Sequence, residues 1–225
     1  MNLVFLGPAG SGKGTQAKKL ERDFDIVQVS TGDLLREAVR SESELGRLAG
    51  PLMKQGRLVP DALVIGVIEE RFRQGGLHSG FLLDGFPRTL PQAEALDRML
   101  ERNGLRLDKV LSLEVPHELL IERITGRRSC PKDGSVFHVV NNPPKREGFC
   151  DRCGTALIQR DDDTREKLEK RLEAFQTEIP RVKEHYRAKD LLAVIRGVGT
   201  PDAIYADIRR ALADVMPAAK AATPA

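Results

Sequence analysis

The chain has 225 residues, enough for one full-sized domain with an insertion or for two small ones, and 40% are hydrophobic, enough for a sizeable core. Its 36 Lys and Arg nearly balance 33 Asp and Glu, leaving +3, and only 4% of residues are aromatic, with no Trp. Bulk nucleic-acid binding and base-stacking platforms are therefore not indicated. No stretch approaches the roughly eighteen apolar residues of a membrane span, and three Cys do not make a disulfide scaffold.

In chain order, Met1–Leu6 is an apolar run closed by Gly7-Pro8 and lacks a basic flank, so it reads as a first buried strand and not as a signal peptide. Residues 13–24 are helix formers, with Ala17 and Leu20 on one face, and 27–29 are a second short strand. Residues 31–40 and 44–55 read as helices, the second ended by Gly56. Leu63, Val64, Val67, Ile68 and Phe72 recur at helical spacing over 61–72. A strand at 81–83 runs into Asp84-Gly85; a helix at 89–102, a strand at 109–115 and a helix at 117–125 follow. Leu168, Leu172, Phe175, Ile179, Val182 and Tyr186 mark one face of a long helix, expected to kink at Pro180. Asp163 and Glu166 are spaced to cap its start. A last strand at 191–195, a last helix at 201–215 and a small-residue tail at 217–225, expected to be disordered, complete the chain. Strands alternating with helices predict a parallel α/β sheet. Residues 129–157, with all three Cys and a Pro-Pro pair, read as an insertion into it.

Gly7-Pro-Ala-Gly10-Ser11-Gly12-Lys13-Gly14-Thr15 lies between the first strand and the first helix. In such a loop backbone N–H groups and the helix N-terminus cradle phosphate oxygens, and the lysine brings a point charge to the β/γ-phosphates. Gly10 and Gly12 are expected to be small so that phosphate can approach. The generic pattern wants Ser or Thr directly after Lys, whereas here Gly14 intervenes and the hydroxyl is Thr15. Two further segments follow strands: Ser30-Thr31-Gly32-Asp33-Leu34-Leu35-Arg36, and Asp84-Gly85-Phe86-Pro87-Arg88-Thr89-Leu90-Pro91-Gln92. All three fall at strand C-terminal ends, where open α/β sheets bind ligands.

Taken together, these motifs resemble those of the adenylate kinases of the bacterial, long-lid type, over roughly residues 1–215. The GKGT spacing that departs from the generic loop is the spacing of this family. The resemblance implies a P-loop kinase fold with a five-stranded parallel sheet flanked by helices. It also implies a core at 1–29, 60–121 and 161–225, a helical AMP-binding domain at 30–59 and a small lid domain at 122–160. The reaction implied is ATP + AMP = 2 ADP with Mg²⁺, in a cytoplasmic, monomeric enzyme with no nucleic-acid or membrane partner. It puts ATP against Gly10, Ser11, Gly12, Lys13, Gly14, Thr15, Arg123, Arg127, Phe137 and Gly199. AMP is put against Thr31, Gly32, Arg36, Arg57, Leu58, Val59, Gly85, Arg88, Gln92, Arg160 and Arg171. Lys13, Arg88, Arg123, Arg160 and Arg171 become the catalytic cations, and Asp84 holds Mg²⁺ through water. The chemistry suits these residue types: arginine grips phosphate bidentately, and the glutamine amide can both donate to and accept from a purine edge. Leu35, Met53, Val59 and Val64 read either as core or as neighbours of the AMP base. A kinase for another nucleoside monophosphate and a non-enzymatic zinc-ribbon module are the rival readings.

Cys130-Pro-Lys-Asp133 and Cys150-Asp-Arg-Cys153 are two C-x-x-C-like knuckles, the pattern of a structural Zn²⁺ site. Cys130, Cys150 and Cys153 supply three thiolates, and Asp133 supplies the fourth ligand by resemblance. His138 is a chemical competitor for that place, and a metal-free, hydrogen-bonded lid with reduced Cys is the alternative. Such a metal would stiffen a lid too poor in apolar residues to fold well alone.

Overall fold

The computed structural model describes residues 1–75 and 79–216. Five strands form one sheet in the order β2-β3-β1-β4-β7, and every pairing is parallel. They are β1 (Asn2–Leu6), β2 (Val27–Ser30), β3 (Phe81–Asp84), β4 (Lys109–Glu114) and β7 (Leu192–Arg196). The helices are α1 (Lys13–Phe24), α2 (Thr31–Arg40), α3 (Glu44–Lys54), α4 (Asp61–Arg73), α5 (Leu90–Arg102), α6 (His117–Thr125), α7 (Arg165–Arg187) and α8 (Pro201–Ala211). The inserted segment carries a small antiparallel pair, β5 (Arg127–Ser129) and β6 (Val136–His138).

Strand alternation divides the core between the two sheet faces. Val4, Leu6, Phe81, Leu83 and Val110 point to one face and pack with Ile68, Leu96, Ile179 and Tyr186 from α4, α5 and α7. Leu3, Phe5, Leu82 and Leu111 point to the other and pack with Ala17, Leu20, Ile204 and Ile208 from α1 and α8. Covered on both faces, the strands read as continuous apolar runs, as parallel strands do. Each fully buried side chain of this size contributes roughly 1.5–3 kcal/mol. Leu35, Val59 and Val64 are buried in the first cluster and Met53 packs partly against it.

Helix starts are set by hydroxyl caps: Ser30, Ser43, Thr89, Thr164 and Thr200 each accept from the N–H three residues on. This corrects one expectation. Asp163 does not cap α7; Thr164 does, and the Asp163 side chain is fully buried on Arg127. The last helix stops at Ala211, short of Val215. Helix α7 runs from Arg165 to Arg187 with Pro180 inside it. Pro180 sits on the exposed side of α7. The expected tail at 217–225 lies outside the described residues. Among the described residues no helix is long and apolar enough to cross a membrane.

Candidate active site

A parallel sheet puts all its carboxyl ends on one edge, and the loops after β1, β2, β3, β4 and β7 meet there. The loop after β1 turns through Gly7, Gly10 and Gly12, all at positive φ, into α1. Gly12 is the left-handed N-cap of α1, and a Cβ there would meet nothing within 4 Å, so its space is open. Gly10 differs from expectation: a Cβ would press on Ile124 Cγ1 at 2.9 Å and Leu120 O at 3.1 Å. Its smallness seats the loop on α6, in addition to any close approach by phosphate.

Lys13 folds back over this loop and donates to the carbonyls of Gly7 at 2.8 Å and Pro8 at 3.0 Å. Its Nζ lies 3.9 Å from Asp84 Oδ1 at the end of β3. Burial pulls the ammonium down to about 8; Asp84 opposes this, while Arg88, Arg171 and Arg127 add to it. Arg123, on α6, donates to Gly197 O at 3.0 Å and Gly10 O at 3.5 Å, tying the phosphate loop to the loop that carries Gly199. Ser11 is buried with its hydroxyl unpartnered, next to this loop.

Across the edge lies a second set of cations. Arg88 Nε donates to Gly85 O at 2.8 Å, and Gly85, at φ 82, leaves no room for a Cβ beside Arg88 and Thr31. Thr31 is buried and donates to Asp84 O at 3.0 Å. Arg36 donates to Asp33 at 2.5 Å, and the same carboxylate oxygen lies 4.0 Å from Arg160. Gly32 abuts the Arg36 guanidinium. Arg171 donates to Asp162 at 2.7 Å. Burial would raise the Asp162 carboxyl, but Arg171, with Arg36, Arg127 and Arg160 behind it, holds it below the ordinary range. Arg88 is lowered to about 10, by burial and then by Arg171; Arg160 is lowered to about 10, by burial and then by Arg36. Both remain cations at neutral pH, and after burial it is repulsion from other arginines, Arg171 and Arg36, that lowers them, which marks a cleft rich in buried positive charge.

The structure does not bring every expected residue into this cleft. Arg127 is taken by Asp163 through Nε at 2.7 Å and a second, shorter bond. Phe137 packs with Cys130 and Cys150 inside the lid. Arg57 is exposed, on the Arg57–Val59 segment that joins α3 to α4. Gln92 is buried and hydrogen-bonded at both ends of its amide, to Arg88 N–H at 2.8 Å and to Asp61 at 2.6 Å. Asp33, Asp61 and Gln28, which donates to Asp84 at 3.3 Å, had no signal in the sequence beyond the place of Asp33 three residues before Arg36.

In the lid both knuckles fold alike. Cys130 O accepts from Gly134 N and Cys130 N donates to Ser135 O; Cys150 O accepts from Gly154 N and Cys150 N donates to Thr155 O. This brings ligand atoms of Cys130, Asp133, Cys150 and Cys153 within 4.8 Å of one another. A tetrahedral zinc with bonds of ~2.3 Å needs thiolates about 3.7 Å apart, and Cys130 Sγ and Cys153 Sγ are 3.4 Å apart. The donor set fits structural Zn²⁺. Burial pushes the Cys130 thiol up to about 11, so loading the metal must expel its proton. His138 is spent elsewhere: Nδ1 accepts from Val140 N and Asn141 N, and Nε2 contacts Glu122 O at 3.2 Å.

A glycine loop and lysine at one end of the sheet edge, facing an arginine-lined pocket at the other, define a P-loop phosphotransferase with two anionic ligands. The family model described as adenylate kinase matches residues 5–191. The chain is 47% identical to an adenylate kinase of Carboxydothermus hydrogenoformans, over 94% of this chain and 99% of that protein. It is 50% identical to one of Caldicellulosiruptor bescii, over 88% and 92%. Against one of Archaeoglobus fulgidus the identity is 45%, over 94% and 98%. The chain belongs to the adenylate kinase family. Its Cys-bearing segment, with a donor set that could bind zinc, is an insertion within that kinase fold.

Proposed function

We propose that the two halves of the sheet edge hold the two substrates of ATP + AMP = 2 ADP, the reaction of this family, with the γ-phosphoryl group passing between them. Lys13, the N–H groups of Gly10 to Thr15, and Arg123 take ATP, with Gly199 and, from the lid, Phe137 on the same side. Arg36 and Arg88 take the AMP phosphate, while Thr31, Gly85, Gln92 and the Arg57–Val59 segment surround its base. An AMP phosphate oxygen attacks the γ-phosphorus as the bond to the β-bridging oxygen breaks, so no protein nucleophile or base is needed. Lys13, Arg88, Arg123, Arg160 and Arg171 stabilise the charge that spreads over the transferring group. Mg²⁺, when bound with ATP, neutralises the phosphate oxygens, and Asp84, a carboxylate beside Lys13, is placed to hold it through water.

The observation that carries this reading is the cluster of buried cations around Lys13 and Arg88, each lowered first by burial and also by neighbouring arginines, a cost that a bound polyanion relieves. We divide the chain into a core (1–29, 60–121, 161–225), an AMP-binding domain (30–59) and a lid (122–160), acting as a cytoplasmic monomer. Arg40 Nη1 donates to Pro131 O at 3.0 Å and Asp33 faces Arg160, so lid and AMP-binding domain touch, as closure over two substrates requires. A coupled assay with MgATP and AMP tests the reading: robust ADP formation supports it, and its absence overturns it.

A further inference from the structure

Asp61 is a carboxylate that the reaction does not use. It opens α4, and both its oxygens are spent on the start of α5: Oδ2 accepts from Thr89 Oγ1 at 2.8 Å and Oδ1 from Gln92 Nε2 at 2.6 Å. The other end of the same amide, Gln92 Oε1, accepts from Arg88 N–H at 2.8 Å. Gln92 is 2% exposed, so water cannot replace either partner. A carboxylate only accepts and a peptide N–H only donates. The amide therefore has one orientation, because its flip would set NH₂ against N–H and oxygen against carboxylate. That orientation leaves one amide N–H and one oxygen lone pair, in a fixed order, for a ligand.

We propose that Asp61 is a positioning residue that sets acceptor-base specificity by locking the Gln92 amide against flipping. Adenine presents an amino donor beside a ring-nitrogen acceptor, and a 6-oxopurine presents a carbonyl acceptor beside a ring N–H donor. These edges fit opposite orientations of a primary amide. A free glutamine would serve both; one held by Asp61 and by Arg88 N–H serves one. The inference deepens the acceptor reading and rests on it, since Gln92 must meet the base. A charge merely favouring the α4 dipole would not need both oxygens bonded to another helix. Pro60 is the N-cap of α4, and no side chain caps it.

The test is the pair of dissociation constants for AMP and inosine monophosphate, measured by calorimetry on wild type, Asp61→Asn and Gln92→Met, with thermal midpoints alongside. Asparagine is nearly isosteric but can turn either its oxygen or its NH₂ toward Gln92, so it tolerates both orientations. The AMP-over-inosine preference should fall by about tenfold or more in Asp61→Asn, by weaker AMP and tighter inosine monophosphate binding, and collapse in Gln92→Met. The ratio comes from one preparation and does not depend on the fraction folded. Asp61→Ser removes the carboxylate's hold in the same way, leaving only that of the Arg88 N–H, if the asparagine variant does not fold. A ratio unchanged within about twofold in Asp61→Asn, with collapse in Gln92→Met, overturns the role of Asp61 and leaves the acceptor reading standing. A ratio unchanged in both variants overturns the reading of Gln92 and the role of Asp61 with it.

Discussion

Arg127 and Asp163 clasp each other at the base of the lid, guanidinium to carboxylate in two parallel bonds, with the aspartate side chain wholly buried. The pair fastens β5 to the segment just before α7, where the inserted lid leaves and rejoins the core. Gln159 Nε2 closes the same joint by donating to Asp163 O at 2.9 Å. Removing one member of such a pair strands the other, which generally costs about 3–5 kcal/mol. Arg127→Ala should therefore lower stability by that order in chemical unfolding, because it leaves the wholly buried Asp163 carboxylate without its partner. Asp163→Ala should cost less, because the arginine left behind reaches solvent. Equal and small effects in both variants would show that the pair does not hold the joint.

Lys13 gives the pH dependence a sign. Its ammonium, lowered to about 8 by burial first and by Arg88, Arg171 and Arg127 after it, is neutral in much of the free enzyme above that pH. A triphosphate restores the charged form, so ATP binding near pH 8.5 should take up a proton. The apparent affinity for ATP should fall as pH rises past 8. Titration calorimetry in two buffers of different ionisation enthalpy reads the uptake, and Lys13→Met should abolish it. Between pH 8 and the ordinary lysine value the unfolded chain holds more protons than the folded one. This group therefore makes the free enzyme more stable as pH rises through that window. Lys13→Met should also lower kcat by ~10²-fold or more with the fold intact.

The lid should carry about one Zn²⁺ per chain. A strong chelator should lower the thermal transition of the lid and spare the core, because the sheet and Lys13 lie elsewhere. Asp133→Ala should weaken metal retention, and Asp133→Cys should keep it or tighten it. His138→Ala should leave the metal in place, since the imidazole serves Val140, Asn141 and Glu122 instead of the cluster. Elemental analysis of protein purified without chelator decides. Metal lost from His138→Ala but kept in Asp133→Ala would give the fourth position to the histidine.

Gly10→Ala tests the seat of the phosphate loop. The added methyl would meet Ile124 Cγ1 and Leu120 O on α6, at a positive φ that alanine rarely adopts. It should lower both stability and ATP affinity. Gly10→Ala combined with Ile124→Ala, which removes Cγ1, should recover part of the affinity if the contact with that side chain is the cause, and none if backbone strain alone is.

What was legible in the sequence followed local rules. Strands β1 and β3 are short apolar runs ended by Gly or Asp, and α7 announced itself by one repeating apolar face. The knuckles were legible because two short loops each carry their ligands a few residues apart. Asp163 was misread because its spacing to Glu166 is that of a cap, while its true partner, Arg127, lies 36 residues earlier. Asp61 carried no signal for the same reason, its partners being 28 and 31 residues on. Gly10 was assigned to the phosphate alone because the packing of α6 on the loop is not written in the loop.

The central claim is that this cleft passes a phosphoryl group from ATP to AMP. The most direct measurement is kcat/KM for AMP, GMP, UMP and CMP as acceptors with saturating MgATP. The account predicts AMP ahead of each of the others by at least ~10²-fold, since a buried site that hydrogen-bonds one base leaves groups unpaired with another. Equal turnover of UMP or GMP would contradict it and place the acceptor pocket in another class of nucleoside monophosphate kinase.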